Sequence, residues 1–151
     1  GDPAEPQMIQ RMARVTTDSH EKSIPVLGMF YPRGGNLILD DSDSTSGVAH
    51  AARLAWELGC NVVKVPWTGS EESFRIVTSS VPIPVLVSGG PKDDDFDKVL
   101  ELVEKSINAG GSGVCMGRNV FSSEDPASRI RALRAIVHDG ANAEEASRHL
   151  R

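Results

Sequence analysis

Short runs of apolar residues alternate along the chain with longer stretches in which apolar positions recur every three or four residues. Four of the short runs are rich in Val, Ile or other apolar residues and bounded by Gly, Pro or Ser: residues 24–31, 60–67, 82–87 and 112–116. Each predicts a strand. The spacing predicts a helix over 47–58, where Val48, Ala52, Ala55 and Trp56 fall together ahead of a stop at Gly59. A second is expected over 70–80, with Phe74, Ile76 and Val77 apolar. A third is expected over 93–109, where Phe96, Val99, Leu100, Val103 and Ile107 form a stripe ending at Gly110 and Gly111. The fourth strand should lead through a short turn to a helix opened by Asp125 as N-cap and Pro126, running to about His138. One more short helix is expected over 143–150, and an opening helix over 5–22 precedes the first strand.

Strands alternating with helices imply consecutive βα units and a parallel sheet. A complete eightfold β/α barrel needs about 250 residues, so 151 residues supply about half of one. The same four units also fit an open doubly wound sheet. Residues 1–151 read as a single domain.

Composition narrows the function classes. With 39% hydrophobic and 25% charged residues the chain is an ordinary globular one rather than a disordered one. A net charge of −5 and the lack of a basic run argue against nucleic-acid or membrane-surface partners, so an anionic ligand must be held by a local site. Cys60 and Cys115 each sit in an apolar run, not in the close spacing of a zinc site or disulfide framework, which suits a reducing cytoplasm. No stretch reaches the roughly 20 apolar residues of a membrane-spanning helix, and Gly1-Asp2-Pro3 lacks the start of a signal peptide. His20, His50, His138 and His149 are scattered, so no metal site is expected.

The chemistry centres on a lysine in an apolar strand. In Cys60-Asn-Val-Val-Lys64-Val-Pro-Trp67, strand alternation puts Val62, Lys64 and Pro66 on one face and Val63, Val65 and Trp67 on the other. If the valine and tryptophan face packs on helices, Lys64 points to the functional side of the sheet. Removal from water favours a neutral amine, the form that attacks a carbonyl to give a Schiff base. The plain alternative is an edge-strand lysine reaching to solvent. Tyr31-Pro-Arg-Gly-Gly35 leaves the first strand, with Tyr31 on the face of Leu27 and Met29, where a phenol could exchange a proton with a substrate. It is otherwise a simple turn. Two further exits, Ser88-Gly-Gly-Pro-Lys92 and Gly117-Arg118-Asn119, are glycine-rich and suit a phosphate, the second bringing a guanidinium.

Taken in order, Tyr31-Pro-Arg-Gly, Val63-Lys64-Val65, Thr68-Gly69, Ser88-Gly-Gly-Pro-Lys92 and Gly117-Arg-Asn119 resemble the archaeal-type class I fructose-bisphosphate aldolases. The 2-amino-3,7-dideoxy-D-threo-hept-6-ulosonate synthases belong to the same family. The resemblance spans nearly the whole chain and implies a TIM barrel of which this chain carries strands 5 to 8. It implies that Lys64 is the Schiff-base lysine, Tyr31 the proton-transfer residue, and Ser88, Gly89, Gly117 and Arg118 the holders of a substrate phosphate. The implied activity is that of a class I aldolase or transaldolase on a phosphorylated sugar, fructose-bisphosphate aldolase type. It calls for no metal and no cofactor, since the protonated imine is the electron sink. Met29, where aldolases of the family often carry Trp, leans toward the heptulosonate synthases, as do Ile136-Val137-His138 and Glu144-Glu145-Ala146. An aspartate that the family places near the end of strand 1 has no counterpart in this chain. A non-catalytic phosphate-binding half-barrel is the rival reading; a sugar-phosphate isomerase would need a carboxylate near the strand ends, and none stands out. Besides the sugar or ketone phosphate, the expected partner is the missing barrel half or a second copy of the chain, because half a barrel exposes two strand edges and part of its interior.

Overall fold

The computed structural model describes residues 1–37 and 43–151. The chain opens with helix α1 (Glu5–Glu21) and strand β1 (Leu27–Met29), and then alternates α2 (Thr45–Glu57), β2 (Val62–Val65), α3 (Glu71–Ser79), β3 (Val85–Ser88), α4 (Phe96–Asn108) and β4 (Gly113–Cys115). A one-turn helix α5 (Arg118–Phe121), α6 (Pro126–Asp139) and α7 (Ala143–Ser147), continued by a 3-10 turn Arg148–Leu150, complete it. All four strands are parallel in the order β1-β2-β3-β4. A doubly wound sheet would reverse its strand order and carry helices on both faces. Here the order is sequential, and the helices pack on one face, against Val63, Val65, Val85 and Val87.

The predicted stops work by one mechanism. After α2, Gly59 has φ +90°, its N–H bonds to Trp56 O, and the Cys60 N–H reaches back to Ala55 O. After α4, Gly110 has φ +89° and Gly110 and Gly111 bond to Ile107 O and Ser106 O. Both are paired six-to-one and five-to-two closures that need a left-handed residue, so glycine ends each helix and turns the chain into the next strand.

Two expected boundaries shift. Helix α4 begins at Phe96 rather than 93, because Asp93 and Asp95 each accept the N–H two residues on, at 3.0 and 3.2 Å, and these local bonds compete with helical ones. Strand β1 covers three residues of the 24–31 run, since it pairs on one side only, and Val26 N–H is taken by the Asn61 side chain at 2.8 Å.

The core lies between sheet and helices. One cluster joins Val48, Ala52 and Ala55 of α2 and Phe74 and Val77 of α3 to the valines of β2 and β3. A second joins α4 (Leu100, Val103) to α6 (Ala132, Ile136) and α7 (Ala146), with Val114 of β4 touching both. Among the described residues no helix is long and apolar enough to cross a membrane.

Asp125 caps α6 by accepting the Ser128 N–H at 3.1 Å. That bond, with smaller contributions from the Ser128 hydroxyl, Arg131 and the Ala127 N–H, holds its carboxyl below the usual range. With a lowered folded-state pKa, the cap stabilises above the unfolded carboxyl value of about 4, and the contribution disappears as the pH falls through the folded value. Asp125→Asn caps without titrating. It is expected to flatten the acid limb of a plot of thermal midpoint against pH; an unaltered limb removes Asp125 from the pH dependence.

Candidate active site

The site is built from the face of the sheet that the helices leave open. Strand register aligns Met29, Lys64, Leu86 and Gly113 in one row across the four strands. Two residues further on, Ser88 stands opposite Cys115. Strand alternation brings Tyr31 and Pro66 to that same upper level, beyond the ends of β1 and β2. The Lys64 side chain is half-buried on this face, while its neighbours Val63 and Val65 are fully buried in the helix-side core. The strand parity expected from the sequence is therefore the observed one.

Lys64, Tyr31, Pro66, Ser88 and Cys115 line a cavity of about 750 Å³ at the carboxyl ends of the strands. Its wall includes every residue given a site role from the sequence: Lys64, Tyr31, Ser88, Gly89, Gly117 and Arg118. Tyr31 is at the exposed rim, with the Arg33 guanidinium 5.0 Å from its ring centre. Ser88 is buried at the end of β3. Gly89 is pressed against the neighbouring loop: a Cβ there would sit 2.6 Å from that of Met116. Any larger residue would push the two loops apart. Gly117 and Arg118 are exposed, and one Arg118 nitrogen donates to Gly90 O at 3.0 Å.

The electrostatics oppose those of the whole chain. Although the net charge is −5, the described wall of the cavity carries three cations, Lys64, Arg33 and Arg118, and no carboxylate. Such a concave, one-signed surface concentrates anions. Beside the cations, the loops after β3 and β4 bring Gly89, Gly90 and Gly117, which have no side chains, to the wall.

Of the wall residues that had no role in the sequence reading, three bear most on the site. Cys115 follows from alternation once β4 is paired with β3. Arg33 was read as part of a turn. Asn119 was quoted in a motif, but its contacts cross between loops and leave no local pattern. Lys92, by contrast, lies outside the wall and pairs with Asp94 at 3.4 Å. Cys60 is on the other side of the sheet, where burial pushes its thiol pKa up and keeps it protonated.

Comparison with known proteins agrees with the fold. The DeoC/LacD family aldolase domain matches residues 1–123. A 2-amino-4,5-dihydroxy-6-oxo-7-(phosphonooxy)heptanoate synthase of Streptomyces griseus is 37% identical over 139 residues, covering 92% of this chain and 50% of the relative. A 2-amino-3,7-dideoxy-D-threo-hept-6-ulosonate synthase of Halobacterium salinarum is 36% identical over 146 residues, covering 97% and 54%. Among solved structures, an archaeal fructose-1,6-bisphosphate aldolase with its catalytic lysine covalently bound to the carbinolamine intermediate superposes with a TM-score of 0.82 at 34% identity. That match covers 89% of this chain and 53% of the other. The chain spans about half the length of the relatives it matches, and its sheet is about half of a TIM barrel. By the extent of the matched domain and the fold it shares with these enzymes, the chain belongs to the DeoC/LacD family of aldolases.

Proposed function

We propose that the chain carries the Schiff-base half of a class I aldolase or transaldolase active site that acts on a phosphorylated sugar. The observation that supports it most is the single cavity lined by a strand-borne lysine, a rim phenol and two glycine loops with an arginine. Lys64 Nζ attacks the ketone carbon, and loss of water from the carbinolamine leaves an iminium. On cleavage, the electrons of the carbon–carbon bond move into the iminium to give an enamine, and Tyr31 takes the proton of the departing aldehyde's hydroxyl. Ser88 Oγ, the amides of Gly89 and Gly117, and the Arg118 guanidinium hold the phosphate. In the synthetic direction the same steps run backwards.

The test is borohydride reduction in the presence of dihydroxyacetone phosphate, followed by mass spectrometry of the peptide that contains Lys64. A reduced adduct on Lys64 is the expected result. No adduct there sinks the catalytic reading and leaves a phosphate-binding half-barrel. For Tyr31→Phe, adduct formation is expected to survive while carbon–carbon turnover falls by about a hundredfold to ten-thousandfold, as for loss of a general acid–base. Equal loss of both measurements would make Tyr31 a binding residue instead.

A second substrate reading, heptulosonate synthesis, is favoured by the two synthases at 36% and 37% identity and by Met29 in the row with Lys64. It keeps the lysine, the phenol and the phosphate site. We also propose that four more strands complete the sheet, from the missing barrel half or from a second copy. Leu27 and Met29 are 41% and 64% exposed, and β1 pairs with β2 alone. Completion would cover them.

A further inference from the structure

A side-chain amide has two N–H donors and one carbonyl acceptor. In Asn119 all three functions are spent on a single distant loop. Nδ2 donates to Gly89 O at 2.6 Å and to Pro91 O at 3.0 Å, and Oδ1 accepts the Asp93 N–H at 2.9 Å. The residue is 2% exposed. Its own carbonyl is gripped from the other side: Arg129 of α6 donates to it at 2.6 Å, with the guanidinium 4.4 Å from the Phe96 ring centre of α4. The adjacent Arg118 takes Gly90 O at 3.0 Å. Three consecutive carbonyls of the loop after β3 are thus held by two consecutive residues of the segment after β4. In a trans peptide the N–H points opposite to the C=O. Fixing Gly89 O toward Asn119 therefore turns the Gly90 N–H the other way, on a residue that lines the cavity.

Resting on the phosphate-binding reading above, we propose that Asn119 is a positioning residue that sets the separation and peptide orientation of the two glycine loops, and so the affinity for the phosphate of the substrate. The fit leaves little slack, because a Cβ on Gly89 would lie 3.3 Å from Asn119 Nδ2. Asn119 touches no reacting atom in this scheme; it acts through the loops.

The experiment compares dihydroxyacetone phosphate with dihydroxyacetone, which has no phosphate, in borohydride trapping at Lys64 by the wild-type chain, Asn119→Ala and Asn119→Asp. Alanine removes all three bonds. Aspartate keeps the volume and the acceptor for Asp93 N–H, but turns a carboxylate on the Gly89 and Pro91 carbonyls. For both variants the half-saturating concentration of dihydroxyacetone phosphate is expected to rise at least about tenfold, the loss of one or two buried hydrogen bonds. Trapping with dihydroxyacetone is expected to be unchanged. Equal loss with both ketones, or loss with neither, overturns the proposal, since a merely structural residue would not separate them. If the wild-type chain traps neither ketone, the Schiff-base chemistry fails. The role of Asn119 is then decided by titration with inorganic phosphate followed by phosphorus NMR, where unchanged binding in the variants, or none in the wild type, overturns it. If the Asn119 variants do not fold, Arg129→Gln frees the Asn119 backbone carbonyl instead and so loosens the Asn119 hold on the loop more mildly; it is expected to show the same split between ketones, and no split overturns the proposal.

Discussion

Replacing Lys64 by methionine is expected to abolish both the borohydride-trapped adduct and carbon–carbon bond turnover while leaving phosphate binding nearly intact. Methionine matches the unbranched bulk of the lysine stem but has no nitrogen with which to form the carbinolamine. The glycine loops proposed to hold the phosphate follow β3 and β4, whereas Lys64 projects from β2, so its loss should remove the proposed nucleophile without disturbing the proposed cradle. Lys64→Arg separates charge from nucleophilicity. A guanidinium keeps the positive charge of the wall but stays protonated and cannot attack. Loss of turnover in both variants, with phosphate binding retained in both, assigns Lys64 a covalent role. Turnover that survives in the arginine variant would reduce Lys64 to an electrostatic contact. Stability is expected to hold in the methionine variant, because the side chain is only half-buried on the open face and has no ion-pair partner among the described residues.

The legible parts of this molecule were those encoded by local repetition. Two-residue alternation put Val63 and Val65 in the core and Lys64 on the open face, and that alone gave the lysine its direction. Gly59 and Gly110 marked helix ends because a left-handed residue is needed there whatever the surroundings. The sequential order of the strands was not legible from periodicity, since the same four units suit a doubly wound sheet; the ordered motifs and the resemblance they carry decided it. What escaped entirely was chemistry between segments. Asn119 bonds to residues 26 to 30 positions away, and nothing near it in the chain announces those partners. Arg33 looked like a turn residue because its reach to the cavity depends on where β1 ends, and β1 proved shorter than its apolar run. Lys92, quoted in the same motif as Ser88 and Gly89 but given no role, lies outside the cavity wall and pairs with Asp94.

Phe74→Ala is expected to produce the largest loss of stability of any single truncation in the helix-side core. Phe74 is fully buried in the cluster that joins α2 and α3 to β2 and β3, and its ring lies 5.0 Å from that of Trp67 at a tilt of 41°. Truncating a buried phenylalanine costs about 3–5 kcal/mol through lost transfer energy and the cavity left behind. The tilted aromatic pair adds to that loss. Domains of this kind have about 5–15 kcal/mol of total stability, so the variant should be close to unfolding, seen as a large fall in the urea midpoint with little change in slope. Phe121, also aromatic but 70% exposed, is the control: Phe121→Ala should change stability by no more than about 0.5 kcal/mol, as expected of a surface position, and leave the midpoint nearly in place. Similar losses at both positions would mean that Phe121 is covered in solution, for example by a second copy of the chain. The Phe74 loss should also reach the chemistry. Val63 and Val65 pack in the same cluster and hold the strand from which Lys64 projects, so trapping at Lys64 should weaken at denaturant concentrations below the unfolding transition. If trapping stays at the wild-type level until the variant unfolds, β2 is held by its hydrogen bonds to β1 and β3, and the cluster around Phe74 serves stability alone.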